Sequence, residues 1–382
     1  MIPYGRQDIT EADLDAVAAV LRSDFLTQGP RVPAFEDAVA GHVGAAHGVA
    51  MNSATSALHV ACLALGLGPG DRLWTQPISF VASANCALYC GASVDFVDIE
   101  PDTFAMSVDA LAAKLERAEA AGTLPKVVVP VAMGGLPPDL AGIRRLADRY
   151  GFKVVHDASH AIGARWDGAF VGAPGQADIT VFSFHPVKIV TTAEGGMAVT
   201  QDAALARRMA MLRSHGITRD PAAMTEASHG PWYYQQVALG LNYRMTEMQA
   251  ALGVSQMMRL DDYVAARMAR ADAYDAALAG LPLALPGRRA GASSSWHLYV
   301  VRLDDPSRHR AVFEGLQADG IGVNLHYIPI HTQPYYAAMG FAPDAFPASM
   351  DYYARAISIP LFAQMTDDQQ EAVTRALRRQ LA

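Results

Sequence analysis

The sequence predicts an α/β protein: a large, mostly parallel α/β/α domain with helices on both faces of its sheet, then a smaller α+β C-terminal domain. Three observations carry this. From about residue 31 to 200, short apolar runs alternate with longer amphipathic ones, the order that yields parallel strands joined by helices. A helical stretch then runs from roughly Thr246 to Leu278 and reads as a bridge between two units. The length, 382 residues, exceeds what one hydrophobic core ordinarily serves. The division expected is a large domain over 1–250, with an N-terminal arm over 1–30, and a small domain over 251–382.

Taken in order, the predicted strands are H-G-V-A-M (47–51), R-L-W-T (72–75), S-V-D-F-V (93–97), K-V-V-V-P-V (126–131), K-V-V-H (153–156), I-T-V-F-S (179–183) and M-A-V-T (197–200). Helical patterns such as S-A-L-H-V-A-C-L-A-L and L-A-G-I-R-R-L-A-D-R-Y stand between most of them. Past the bridging helix, the Pro-, Gly- and Ser-rich L-P-G-R-R-A-G-A-S-S-S marks a loop. H-L-Y-V-V-R-L and G-V-N-L-H-Y then read as strands, and T-D-D-Q-Q-E-A-V-T-R-A-L-R-R as a capped helix.

Composition narrows the function classes. Hydrophobic residues at 51% against 18% charged are those of a folded globular protein. A formal charge of -8 and the absence of a basic cluster argue against a nucleic-acid partner. The first residues lack the apolar core of a signal peptide and no apolar stretch is long enough to span a bilayer, so a cytoplasmic location and no membrane partner are expected. Cys62, Cys86 and Cys90 lie in Ala- and Leu-rich segments without zinc-finger spacing and read as buried, reduced thiols.

The chain has only four lysines, at 114, 126, 153 and 188. Lys114 reads as part of a solvated helix face, and Lys126 and Lys153 as strand-entry residues. Lys188 sits instead in the apolar run of F-H-P-V-K-I-V, with no carboxylate near in sequence. Lysine is rarely buried without a partner.

Parallel sheets bind ligands at the carboxyl ends of their strands, so the residues just past each apolar run carry the chemistry. N-S-A-T-S-A-L-H follows the strand ending at Met51, and Asn52, Ser53, Thr55 and Ser56 offer hydroxyls and an amide at a helix start. Such a start holds a phosphate, or is simply capped by the same residue types. H-D-A-S-H places Asp157 at a strand end, where a carboxylate stays ionised only beside a cation or several donors; a protonated pyridine nitrogen would serve. His156 and His160 lack H-E-x-x-H context and a third ligand, so no metal is expected. P-I-S-F-V brings Phe80 near the same edge, either to stack on a flat ring or to fill the core. Lys188 follows the strand I-T-V-F-S, ahead of Thr191, Thr192 and the turn at Gly195-Gly196. A desolvated lysine is more often the neutral amine that attacks an aldehyde.

A phosphate cup, a stacking ring, an acid for a pyridinium and a neutral lysine are together the parts that hold pyridoxal 5'-phosphate. Competing motifs fail on context. G-L-G-P-G-D (66–71) enters a strand rather than a helix, and neither a P-loop nor a G-x-S-x-G elbow is present.

With these residues in place, the sequence resembles the DegT-type (DegT/DnrJ/StrS) sugar nucleotide aminotransferases, pyridoxal-phosphate enzymes of the aspartate aminotransferase fold, fold type I. The resemblance rests on I-P-Y-G-R-Q-D, F-L-T-Q-G-P, N-S-A-T-S-A-L-H, D-A-S-H-A-I-G-A, S-F-H-P-V-K-I-V-T-T-A-E-G-G, S-H-G-I, L-N-Y-R-M-T-E-M-Q-A-A-L-G and H-Y-I-P-I-H, which cover nearly the whole chain. The wider family usually has Gly before Glu-Gly-Gly, where this chain has Ala193. S-F-H-P-V-K with T-T-A-E-G-G looks most like the branch that makes UDP-4-amino-4,6-dideoxy-N-acetyl-β-L-altrosamine, on the way to pseudaminic acid.

The resemblance implies that Lys188 forms the Schiff base with the cofactor, Asp157 pairs with the pyridine nitrogen and His160 sits near the ring hydroxyl. It implies that Phe80 stacks on the ring and that Thr55, Ser56 and Ser183 hold the phosphate. Asn242 would reach in from a neighbouring subunit, making the protein a homodimer with shared active sites. Tyr4, His326, Tyr327 and His331 are the candidates for the sugar nucleotide, although His326 and His331 also read as strand-end and loop residues without a ligand. The expected reaction is amino transfer from L-glutamate to a UDP-linked keto sugar. By the same resemblance, sugar dehydratases on this scaffold carry His where Lys188 stands, which argues against that activity. A non-catalytic regulator with the same fold is the reading from another class.

Overall fold

A seven-stranded sheet organises the large part of the computed structural model, which describes residues 1–382. Its strands run in the order His47–Met51, Gly196–Thr200, Ile179–Ser183, Lys153–Asp157, Val127–Val129, Arg72–Thr75 and Ser93–Phe96. Gly196–Thr200 alone runs against its neighbours; the other pairs are parallel. Met51, Thr75, Asp157, Ser183 and Gly196 therefore share one edge of the sheet, the edge where such folds bind ligands.

The helices form where local chemistry starts and stops them. Ser53 caps Ala54–Ala64 by accepting the Ser56 N–H at 3.1 Å, and Asp139 caps Leu140–Tyr150 through the Gly142 N–H at 2.8 Å. Gly151 ends that second helix in the left-handed region, at φ 80°. Apolar faces bury against both sides of the sheet, with Leu58, Phe96 and Val181 on one side and Phe35, Phe182 and Met197 on the other.

A smaller antiparallel sheet of Leu283–Ala284, Tyr299–Leu303 and Ala356–Ile359 forms the C-terminal unit. Tyr274, Leu316, Val373 and Leu377 close its core from the helices Leu260–Leu278, His309–Ala318 and Asp367–Leu381. The last helix starts with a reciprocal Thr366/Gln369 capping box. Two backbone bonds join this unit to the large sheet: Ser295 N–H to Gly135 O at 3.2 Å, and Leu298 N–H to Gly134 O at 3.1 Å. Gly135 has φ 104°, and a Cβ there would lie 2.8 Å from Ser295 Oγ and 3.0 Å from His297 N, so only glycine fits the junction. The N-terminal arm crosses both units, pairing Ile2 with Ile321 and offering Tyr4 O to the Leu361 N–H at 3.0 Å.

Four expectations are corrected. The helix predicted over 246–278 is two, Glu247–Met257 and Leu260–Leu278. At the break Arg259 leaves helical geometry, and its guanidinium clasps Asp13 (2.7 and 2.8 Å) and the Tyr263 hydroxyl (2.9 Å). The run K-V-V-V-P-V ladders only over Val127–Val129, since Pro130 has no N–H to give; pairing resumes as a bridge from Val131 to Asp157. G-V-N-L-H-Y forms no strand, only the bridge between Asn324 and Ser358. Lys114 is not solvated: it pairs with Asp95 at 2.7 Å, donates to Phe96 O at 2.6 Å and lies over the Trp74 ring.

Lys126 and Lys153 do enter strands, each paired with an aspartate, Asp71 and Asp178. The three cysteines are free and buried. No helix is long and apolar enough to cross a membrane.

Candidate active site

A cavity of about 820 Å³ opens at the ligand-binding edge of the sheet, walled by strand ends on one side and by Tyr4 and Asn324–Tyr327 on the other. Residues 184–195 connect the strand Ile179–Ser183 to its antiparallel neighbour, and Lys188 lies in that connection, half-buried against the cavity. Burial drives its amine down to about 8, and the Asp157 charge opposes part of that fall. The carboxylate missing from its sequence neighbourhood is thus supplied through space.

Asp157 is 4% exposed, accepting the Ser83 hydroxyl at 2.6 Å on one oxygen and the Ser159 N–H at 3.1 Å on the other. Ser79 Oγ lies 2.6 Å behind Ser83 Oγ, extending the network along the start of the helix Ala82–Tyr89. This buried carboxylate is oriented toward the cavity and has capacity left for one strong donor.

The phosphate cup and the capping role coexist at 52–56. Ser53 makes the cap and Ser56 turns its hydroxyl to Asn52 Oδ1 at 2.6 Å. The N–H groups of Ala54 and Thr55 make no bond within the protein, and both residues line the cavity beside Ser183. Gly196 presses against this turn so closely that a Cβ would meet Ser53 C and O at 2.4 Å.

Phe80 is 56% exposed at the cavity wall, 6.0 Å from the Tyr327 ring centroid, so it fills no core. His160 is buried; its Nδ1 accepts the Gly134 N–H at 3.3 Å and its Nε2 faces the Tyr327 hydroxyl at 3.3 Å. Burial, then the Lys188 and His326 charges, hold it well below the usual imidazole range. Both nitrogens of His326 are engaged, Nδ1 by Ser358 Oγ (2.9 Å) and Nε2 by the Asn324 amide (3.3 Å), and burial brings it down to about 4. Tyr4 lies 5.3 Å from the His326 ring, its phenol pushed up by burial and eased down by Asn324.

Two candidates fall elsewhere. His331 is fully buried outside the cavity, against Phe96 and Phe346, with Nε2 3.1 Å from Pro343 O. After Pro329 the chain enters a 3₁₀ turn over Ile330–Thr332 that carries it into the core, which corrects the expectation that it meets substrate. Asn242 is exposed and also lies outside this chain's cavity. His156, one residue from Asp157, is fully buried with neither nitrogen bonded, so it forms no metal pair with His160.

Sequence reasoning missed Ser79, Ser83, Ser159, Asn324 and His297, all in the cavity wall or directly behind it. His297 is buried with its ring centroid 4.3 Å from that of His160 and its Nδ1 unbonded. Its only sequence signal was a histidine opening the strand H-L-Y-V-V-R-L.

The parts fit pyridoxal phosphate: two free N–H groups at a helix start, a buried carboxylate, an exposed ring and an amine near 8. Fold and site together define a fold type I transferase. The chain belongs to the DegT/DnrJ/EryC1/StrS aminotransferase family, whose sequence profile matches residues 7–378. It is 37% identical to the spore coat polysaccharide biosynthesis protein SpsC of Bacillus subtilis, over 99% of this chain and 96% of that one. Among solved structures it superposes on Helicobacter pylori PseC, an aminotransferase of pseudoaminic acid biosynthesis, at TM-score 0.91 and 29% identity, covering 100% of this chain and 99% of that one. It superposes equally broadly on Streptococcus pneumoniae Spr1654 in its PMP form, at TM-score 0.90 and 28% identity, covering 100% and 99%.

Proposed function

We propose that this aminotransferase uses pyridoxal 5'-phosphate to move an amino group from L-glutamate to the C4 keto group of a UDP-linked 4-keto-6-deoxy-N-acetylhexosamine. The product is UDP-4-amino-4,6-dideoxy-N-acetyl-β-L-altrosamine. The observation that carries the reading is Lys188, a half-buried amine near 8 facing a buried carboxylate. At neutral pH about a tenth of it is the neutral base that bonds to an aldehyde.

When bound, the cofactor supplies an electron sink for the charge left as a proton leaves the donor carbon. Asp157, fixed by Ser83 and Ser159, holds the positive ring nitrogen in place. The free N–H groups of Ala54 and Thr55, with Thr55, Ser56 and Ser183 beside them, hold the phosphate. Phe80 covers a ring face, and His160 offers a donor at the ring edge. Lys188 Nζ, freed when the amino donor takes its place, accepts the proton from the donor carbon and returns it one atom away. Tyr4, His326 and Tyr327 form the wall left open to the sugar.

The likeness to PseC supports the pseudaminic acid branch. The identity to SpsC favours a second reading, another nucleotide-sugar 3- or 4-aminotransferase of the family. A homodimer with shared sites accounts for Asn242 lying outside this chain's own cavity, and for the exposed side chains of Phe25, Leu26, Trp232, Leu239 and Met258. The test is incubation with UDP- and dTDP-linked 3- and 4-keto sugars plus glutamate, with products identified by NMR. The altrosamine product supports the first reading and a different amino sugar the second. A protein that binds the cofactor but aminates none of them is the regulator.

A further inference from the structure

The guanidinium of Arg267 is 2% exposed and pairs with no carboxylate. From the helix Leu260–Leu278, its Nη1 donates to the carbonyls of Leu361 (2.9 Å), Trp296 (3.2 Å) and His297 (3.4 Å), while Nε has no partner. A buried cation without a counter-ion is costly, and hydrogen-bonding to carbonyls alone does not require charge. What it faces is the His297 backbone, and the His297 ring in turn lies against the His160 ring.

We infer that Arg267 and His297 are positioning residues for His160: the buried charge behind the paired rings keeps both imidazoles neutral, so His160 stays a fixed Nε2–H donor into the cavity. The geometry specifies the tautomer. Gly134 N–H occupies His160 Nδ1 as an acceptor, which leaves the proton on Nε2, toward Tyr327 and the cavity. An imidazolium would lose the Gly134 bond, because two donors would then face each other.

The groups facing the pair agree in sign. His297 is held well below the imidazole range by burial, then by His160, Lys188, Arg267 and His326. His160 has Tyr327 at its Nε2 and feels Lys188 and His326 as further positive neighbours. The buried carboxylate nearby, Asp157, is already taken by Ser83 and Ser159. With the imidazoles neutral, Lys188 is the buried group in the cavity that changes charge near physiological pH.

This rests on the reading of the cavity as the cofactor site, but its test reads imidazole protonation and not turnover. Cofactor-loaded protein carrying ¹⁵N-labelled histidine is titrated by NMR from about pH 5 to about pH 9, with signals assigned through His160→Gln and His297→Gln. In the wild type both rings are expected to stay neutral throughout, with His160 showing the Nε2–H pattern. Arg267→Gln keeps N–H donors for the carbonyls but removes the charge; one or both rings should then take up a proton within the range, at least ten-fold more readily. Arg267→Lys should restore neutrality. Equal behaviour of the Gln and Lys variants overturns the electrostatic role. If Arg267→Gln does not fold, the wild-type titration still decides: a His160 or His297 midpoint above about pH 6, or an Nδ1–H tautomer at His160, overturns the inference. Loss of all activity with unchanged imidazole behaviour would count against the functional reading alone.

Discussion

Ser83 donates its hydroxyl to Asp157 at 2.6 Å, across 74 residues of sequence, and so ties the start of one helix to the end of a neighbouring strand. The bond orients a carboxylate that is buried and has only one other protein donor. Ser83→Ala should leave the fold intact and weaken cofactor binding about ten-fold, the effect of losing a hydrogen bond to a charged group of about 1–2 kcal/mol. Titrating the cofactor into the apo variant measures this. Wild-type affinity in the variant would mean that Asp157 does not depend on Ser83.

Lys188 gives the apo protein a pH signature of the opposite sign to a salt-bridged lysine. Its folded value, about 8, lies below the ordinary 10.5. The unfolded chain therefore binds more protons between these values, and stability rises with pH across that window. Below pH 8 the buried charge costs up to ~3 kcal/mol. Lys188→Met, with neither cofactor nor donor present, should thus raise the melting temperature at neutral pH, and the gain should shrink toward zero above about pH 10.5. Thermal melts of both proteins along a pH series decide it; a gain independent of pH would sink the argument.

How much of this was legible in the sequence depended on distance along the chain. Asp157, Ser183, Lys188 and the 52–56 turn each follow a short apolar run directly, so strand periodicity alone brought them to one edge. His297 and Asn324 belong to the C-terminal unit and reach the cavity only because Gly134 and Gly135 accept that unit against the large sheet. No local pattern encodes that docking. His331 was misplaced for the reverse reason: five residues from His326 in sequence, it is carried into the core by a turn that a six-letter motif does not reveal. The break between Met257 and Leu260 escaped because Arg259 is a good helix former and leaves the helix for a partner in the N-terminal segment.

Ala193 sits at φ 65°, a left-handed conformation that costs a side-chain-bearing residue about 1 kcal/mol. It is exposed in the loop after Lys188, where Thr191 Oγ1 accepts its N–H at 3.0 Å. Ala193→Gly should stabilise the protein by up to ~1 kcal/mol, offset in part by the greater freedom of the unfolded chain. Ala193→Val should destabilise by more than that, because a β-branched side chain resists this region. Denaturant midpoints for the three proteins should fall in the order Gly, Ala, Val; a reversed order would show that the loop conformation is not what limits the site.

The paired glycines after Glu194 should respond unequally to the same added methyl. At Gly195 a Cβ would meet Thr192 Oγ1 at 2.1 Å and Met245 Cε at 2.6 Å, both side-chain atoms, of which the methionine end can move. At Gly196 it would meet the Ser53 carbonyl and the Ala54 N at 2.4–2.5 Å, which are backbone, so the whole 52–56 turn must shift. Gly196→Ala should therefore destabilise by ~2 kcal/mol or more, as overpacking does, and also weaken binding of inorganic phosphate and of the cofactor. Gly195→Ala should be milder in stability and should largely spare phosphate binding, since its contacts lie away from the free Ala54 and Thr55 N–H groups. Thermal melts and phosphate titrations of the two variants separate the effects. Equal loss of phosphate binding in both would place the anion elsewhere than at the start of the helix Ala54–Ala64.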